Sequence, residues 1–213
     1  MGAAMLIFYP IIGIAKPKLK AQVGAETVMP KAAQLKDWVK EGSVAGGKAQ
    51  ISPEDMVRDP KKMVAFLRGR PDRMDVSRMD PALALTVAGV LIEGGAWLTA
   101  EKLLFNATEL WPQRADLRTT HGRVLIQLGR PAAALKTVRM ATETMADLST
   151  PHFLKALALL RTQPVTQARR AEAMVALERV LELDPDFTDP SGWTAADVRS
   201  QLRQMRGSGR AAP

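Results

Sequence analysis

The chain has 213 residues, is 46% hydrophobic but only 5% aromatic, carries a net charge of +8 and contains no cysteine. That length suits one domain of ordinary size with an extension, and a composition rich in Ala, Leu and Arg favours helices over a β-sandwich. The missing cysteines exclude a disulfide framework, a thiolate metal site and a cysteine nucleophile.

The basic charge changes character along the chain. Residues 1–62 hold nine Lys and one Arg, whereas the remainder holds three Lys and seventeen Arg, and each part nets +4. The switch marks a boundary between a solvated extension and a folded domain. Mild basicity of this kind serves nucleic acid or an anionic membrane surface. No dense Lys/Arg block occurs, however, and no aromatic residues interleave with the basic ones, so nucleic acid is not expected as a partner.

The first segment, residues 1–15, is apolar: "AAMLIFYPIIGIA" (3–15) carries no charge and is followed by Lys16, Lys18 and Lys20. Thirteen residues of helix rise roughly 20 Å, short of the roughly 30 Å hydrocarbon core, and Pro10 and Gly13 interrupt the run. Three readings stay open: a short or truncated membrane anchor, a tail docking on a protein or membrane surface through Leu6, Ile7, Phe8, Tyr9, Ile11 and Ile12, and a poor signal peptide lacking basic residues upstream. If the run is an anchor, the three lysines favour a cytoplasmic location for the rest of the chain, with a periplasmic one left open.

Residues 16–51 read as a Lys-rich linker, with one short helix near 30–41. Over 52–80, "SPED" and "DPKKMVAFLRG" signal N-terminal helices through a capping Ser52 or Asp59 followed by proline. From Pro81 the pattern becomes regular. "PALALTVAGVLIE" ends at Gly94-Gly95 and "LTAEKLLFNATELW" runs to Pro112. "ADLRTTHGRVLIQL" ends at Gly129 and "PAAALKTVRMATETM" comes next. "PHFLKALALLR" and "RRAEAMVALERVLEL" form a third pair. Thr194 to Asp197 is a capping box that opens a last amphipathic helix over 191–206, before a disordered tail at 207–213.

The first two pairs superimpose with a shift of 34 residues: Gly95 on Gly129, Ala100 on Ala134, Ala107 on Ala141, Leu91 on Leu125 and Leu104 on Val138. A repeat of that period resembles the tetratricopeptide (TPR) repeat family. Repeat one (81–114) supplies the family's small and bulky positions through Ala88, Leu91, Gly95, Ala100, Leu104, Ala107 and Pro112. Repeat two (115–148) supplies Gly122, Leu125, Gly129, Ala134, Val138 and Ala141, with Ala146 in place of the closing proline. Repeat three (149–187) is degenerate. Its first helix fits with Ala156 and Leu159, and its second fits only after about five extra residues, "QPVTQ", through Ala173, Leu177 and Pro185. The resemblance implies an all-α solenoid of antiparallel helix pairs over 81–190 with a C-terminal capping helix; the alternative is an irregular helical bundle. Small residues sit where paired helices must cross closely, and about three units are needed before stacking buries a continuous core.

The resemblance also implies a concave groove lined by the first helix of each unit. Carried over, repeat one presents Ala82, Leu85, Gly89, Ile92 and Glu93. Repeat two presents Asp116, Thr119, Arg123, Ile126 and Gln127, and repeat three presents Thr150, Phe153, Leu157, Leu160 and Arg161. The family's Lys/Asn clamp for a C-terminal carboxylate is absent, because its places hold Leu85, Gly89, Thr119 and Arg123. What remains is an apolar strip for a peptide or helix, with Arg123 and Arg161 available to an acid on it. Individual groove positions are alternatively buried by a neighbouring helix.

Nothing points to catalysis. His121 and His152 stand at packing positions without carboxylates at ligand spacing, "GVLIEGG" lacks the lysine of a phosphate loop, and there is no serine elbow. Trp97, Trp111 and Trp193 read as lids at helix ends. The expectation is a non-enzymatic protein–protein interaction scaffold with no cofactor, metal or small-molecule substrate. It would be membrane-tethered, as an assembly factor or accessory subunit of a bacterial envelope complex; the alternative is a soluble self-associating module whose apolar N-terminus docks on a neighbouring chain.

Overall fold

The computed structural model describes residues 75–207. The apolar segment with Leu6 to Ile12, the Lys-rich linker, most of the 52–80 helical region and the tail beyond Gly207 lie outside the described residues. Within them, a 3-10 turn (Val76–Arg78) leads into seven helices: α1 (Pro81–Glu93), α2 (Trp97–Leu110), α3 (Ala115–Gln127), α4 (Pro131–Thr144), α5 (Ser149–Arg161), α6 (Gln167–Leu183) and α7 (Ala195–Gly207). No strand pairs with another among the described residues beyond one isolated bridge, Thr188 to Thr194. No helix among them is long and apolar enough to cross a membrane.

Local chemistry sets the helix ends. The Asp80 carboxylate accepts the Leu83 N–H at 2.8 Å and Pro81 occupies the first turn of α1, the arrangement that satisfies an otherwise orphaned donor. The two repeats then end their first helices identically. Gly95 and Gly129 have φ of 74° and 72°, a region a Cβ penalises. The N–H of Ala96 reaches back to Leu91 O at 2.8 Å, and that of Arg130 to Leu125 O at 2.9 Å. These are Schellman closures, one repeat period apart, and they reverse the chain so that α2 and α4 run back along α1 and α3.

Consecutive helices pack pairwise, and the first helices of the units, α1, α3 and α5, also touch one another side by side. The small residues predicted for the crossings are buried: Ala88, Ala100, Ala107, Ala134, Ala141, Ala156 and Ala173 are all inaccessible. At Gly122 a Cβ would run into Val138 Cγ2 on α4. The apolar interior divides at α3. Leu117 and Val124 join the N-terminal cluster with Leu91, Leu103 and Leu104, while Leu125 joins the C-terminal cluster with Phe153, Leu159 and Leu177. α7 closes the array by setting Ala195, Val198, Leu202 and Met205 into that second cluster. Its capping box forms as expected, the Thr194 N–H donating to Asp197 Oδ2 at 2.9 Å and the Asp197 N–H to Thr194 Oγ1 at 3.4 Å. Arg199, Arg203 and Gln204 face solvent.

His121 sits at the seam between repeats one and two. It is buried, and its ring nitrogens make no hydrogen bond among the described residues. Glu101 Oε1, 4.0 Å from Nε2, is shared with Arg130 at 3.7 Å. Phe105 meets the ring edge-on. Burial pushes the His121 pKa below its ordinary 6.5, and Glu101 offsets this only in part.

Two measurements check this packing. Gly89 and Gly122 are both inside helices, but a Cβ at Gly89 meets open space. Gly89→Ala should therefore raise stability by up to about 1 kcal/mol from helix propensity. Gly122→Ala should lower it, because overpacking costs about 1–3 kcal/mol; adding Val138→Ala should recover part of that loss in thermal melts. For His121, the unfolded chain takes up its proton first as pH falls. Stability is thus fully present above 6.5 and declines below it toward the lower folded value. Denaturant midpoints between pH 5 and 7 should show that slope, and His121→Leu should flatten it.

Candidate functional site

α1, α3 and α5 lie in a row, on the side where the repeat pattern implies a concave face. Its two halves differ. On the α1 side, Leu85, Gly89 and Ile92 succeed one another at helical spacing and remain partly accessible, with Glu93 exposed beyond them and Thr119 partly accessible on α3. Partial burial of its carboxyl, with no basic partner among the described residues, raises the Glu93 pKa above its ordinary value. Gln127 is exposed, and the half-buried Arg161 ends α5. Arg161 has no hydrogen bond or ion pair among the described residues, and burial lowers its pKa.

The α5 side is filled. Phe153 is inaccessible, and Ile126 and Leu157 are 5% and 9% exposed, so three residues expected to line an open groove belong to the core. The segment 184–194 between α6 and α7 folds back over Phe153. Phe187, 1% exposed, places its ring 5.0 Å from that of Phe153, and Trp193 lies 5.5 Å from the same ring. Trp193 is thus a lid, as its sequence position suggested.

Arg123 is also taken. Its Nη1 donates to Asp189 Oδ2 at 2.8 Å and its Nη2 to Asp189 Oδ1 at 2.7 Å, a two-pronged contact of the strong kind. The expected free arginine already has an acid, supplied by this chain. The Asp189 side chain is fully buried and that of Arg123 is 20% exposed. Burial acts to raise the Asp189 pKa, but Arg123, with the hydroxyl and N–H of Ser191, more than compensates and holds it below the ordinary value.

The segment is shaped to deliver that carboxylate. Asp189-Pro190-Ser191-Gly192 has turn-forming residues in sequence, and the Gly192 N–H donates to Asp189 O at 2.8 Å with φ of 90° at Gly192. The Ser191 N–H donates to Asp189 Oδ2 at 2.8 Å. The Asp189 N–H meets Trp193 O at 2.8 Å and the Ala195 N–H meets Phe187 O at 2.7 Å. The turn signal was visible in sequence; its target, 66 residues earlier, was not.

This architecture is that of a TPR-like helical-repeat protein. No family model and no curated protein matches the chain, but solved structures do. The first TPR of Spaghetti (RPAP3), described as bound to the HSP90 peptide SRMEEVD, is similar at 17% identity with a TM-score of 0.52, over 62% of this chain and 94% of that one. The first TPR domain of human RPAP3 is similar at 16% identity and 0.50, over 60% and 91%. MamA from Desulfovibrio magneticus RS-1 is similar at 16% identity and 0.51, over 86% and 99%. At such identities the likeness is one of fold.

The Arg123–Asp189 pair should respond asymmetrically. Arg123→Ala leaves a wholly buried carboxylate unpaired and should cost about 3–5 kcal/mol. Asp189→Ala leaves a guanidinium that reaches water and should cost less. Urea unfolding of both variants gives the comparison.

Proposed function

We propose that this protein is a non-enzymatic scaffold that holds a segment of another protein on the open part of its concave face. The observation that carries the reading is Arg161: a half-buried guanidinium, lowered by burial and without an acid of its own among the described residues. A buried charge is retained at a cost unless something pairs with it, and a partner carboxylate would do so. The partly accessible Leu85 and Ile92 flank Gly89, above which a Cβ would meet nothing, leaving a notch for an apolar side chain or a close helix. Leu85, Thr119, Gln127 and Arg161 are the contact residues; Ile126, Phe153 and Leu157 belong to the core, and Arg123 is paired with Asp189.

The RPAP3 domain offers a precedent for a peptide on this fold. A peptide captured through its terminal carboxylate is not the expected ligand here, since Leu85 and Gly89 replace the clamp. The apolar run 3–15 followed by three lysines supports a tether to a membrane, where such a scaffold would act as an assembly factor or accessory subunit of a bacterial envelope complex.

Leu85→Glu combined with Arg161→Glu should leave the helical circular dichroism unchanged and weaken capture of the native partner by about tenfold or more, the loss of one apolar anchor and one charge pair. Equal recovery of partner by this variant and the wild type in affinity purification would reject the open face as the site. Deleting residues 1–20 should move the protein from the detergent-requiring to the soluble fraction. If both are soluble and the full chain forms a larger homo-oligomer than the truncation, the result would instead support docking of the apolar run on a neighbouring copy.

A further inference from the structure

The connection between α6 and α7 is longer than the repeat requires. Residues 111–114 suffice to join α2 to α3, and 145–148 to join α4 to α5, whereas 184–194 separate α6 from α7. The added residues are not what holds α7 in place. That helix is anchored on α6 by its own apolar side chains, by Arg206 to Glu178 at 2.6 Å and by Arg170 Nη2 to Met205 O at 3.1 Å, while Arg199 Nη2 donates to Pro185 O at 2.8 Å. The segment is therefore tied at both ends, and its middle reaches away to fill the concave face.

There it makes the contacts a bound peptide would make. An aromatic ring, Phe187, enters the slot against Phe153, and two residues later a carboxylate, Asp189, takes both prongs of Arg123. Extended residues supplying an aromatic anchor and a charged partner are a recurring mode of peptide recognition, and bidentate pairing to arginine fixes register as well as strength. The face it covers is one that the repeat pattern would otherwise leave to a partner.

We propose that residues 184–194 are an internal ligand of the concave face. They occupy the Phe153 slot and Arg123 until an extended segment of another protein, bearing an aromatic residue two positions before an acid, competes for them. The proposal rests on the concave face being a docking surface, but it concerns a different half of that face from Leu85 and Arg161. Because the segment is attached, an outside peptide competes only with the fraction of molecules in which it has swung clear, so its apparent affinity is reduced by that fraction.

The test uses a synthetic peptide of residues 184–194 added to the full chain. Wild type should bind it weakly. The double variant Phe187→Ala, Asp189→Ala, which removes the segment's ring and carboxylate while leaving Phe153 and Arg123 unchanged, should bind it about tenfold more tightly or better, as expected when the competing state is weakened. The same peptide carrying those two alanines should bind neither protein. A folded double variant that ignores the native peptide overturns the proposal and leaves the segment as fixed core. Should the variant fail to fold, hydrogen exchange on the wild type decides: the amides of Asp189, Gly192 and Ala195 should exchange through an opening that leaves α5 and α6 protected. Exchange of those amides only on global unfolding overturns it. Neither readout involves the native partner, so failure here leaves the Leu85 and Arg161 reading standing, and failure of partner capture there leaves this one standing.

Discussion

Everything in this fold depends on how closely paired helices can approach. At Gly122 the α3 backbone comes so near Val138 on α4 that no side chain fits, and the alanines at the equivalent crossings are wholly buried. Close crossing is what allows short helices to share one continuous interior, because a single pair buries only one of its faces. The constraint also explains why α1, α3 and α5 end up side by side: once each second helix is pinned behind its first, the first helices are left together on the inner surface. The concave face is thus a by-product of small residues on the opposite side of the same helices.

The interior is not uniform along the array. It is split at α3, with Val124 and Leu125, neighbours in sequence, belonging to separate clusters. At that division lies His121, buried and without a hydrogen bond among the described residues, beside a carboxylate that is shared with Arg130. A polar ring buried without a hydrogen bond costs stability, and the cost grows when it takes up a proton.

The concave face shows the same contrast between repetition and exception. On its N-terminal half, Leu85, Gly89, Ile92 and Thr119 remain partly accessible. Its C-terminal half is occupied by the chain itself, through Phe187, Asp189 and Trp193. The ion pair of Arg123 with Asp189 crosses this half and has a buried carboxylate, so Arg123 is held by the chain's own acid. Arg161, with no such partner among the described residues, keeps its charge available.

Periodicity and punctuation made most of the scaffold readable in advance. Asp80-Pro81, Gly95, Gly129 and the Thr194–Asp197 box act within a few residues of themselves, through caps and left-handed turns, and local effects of that kind need no knowledge of the rest of the chain. The burial of Ala100 and Ala134 came from the repeat, since equal spacing places equal residues in equal surroundings. What the residues alone did not disclose was the state of each groove position. Whether Phe153, Ile126 and Leu157 face a partner or the core, and whether Arg123 is free, turned on a segment at 184–194 whose turn residues announce a bend but not where it lands. An aperiodic loop meets its targets through the folded geometry of three helices distant in sequence, and only that geometry brings Asp189 to Arg123.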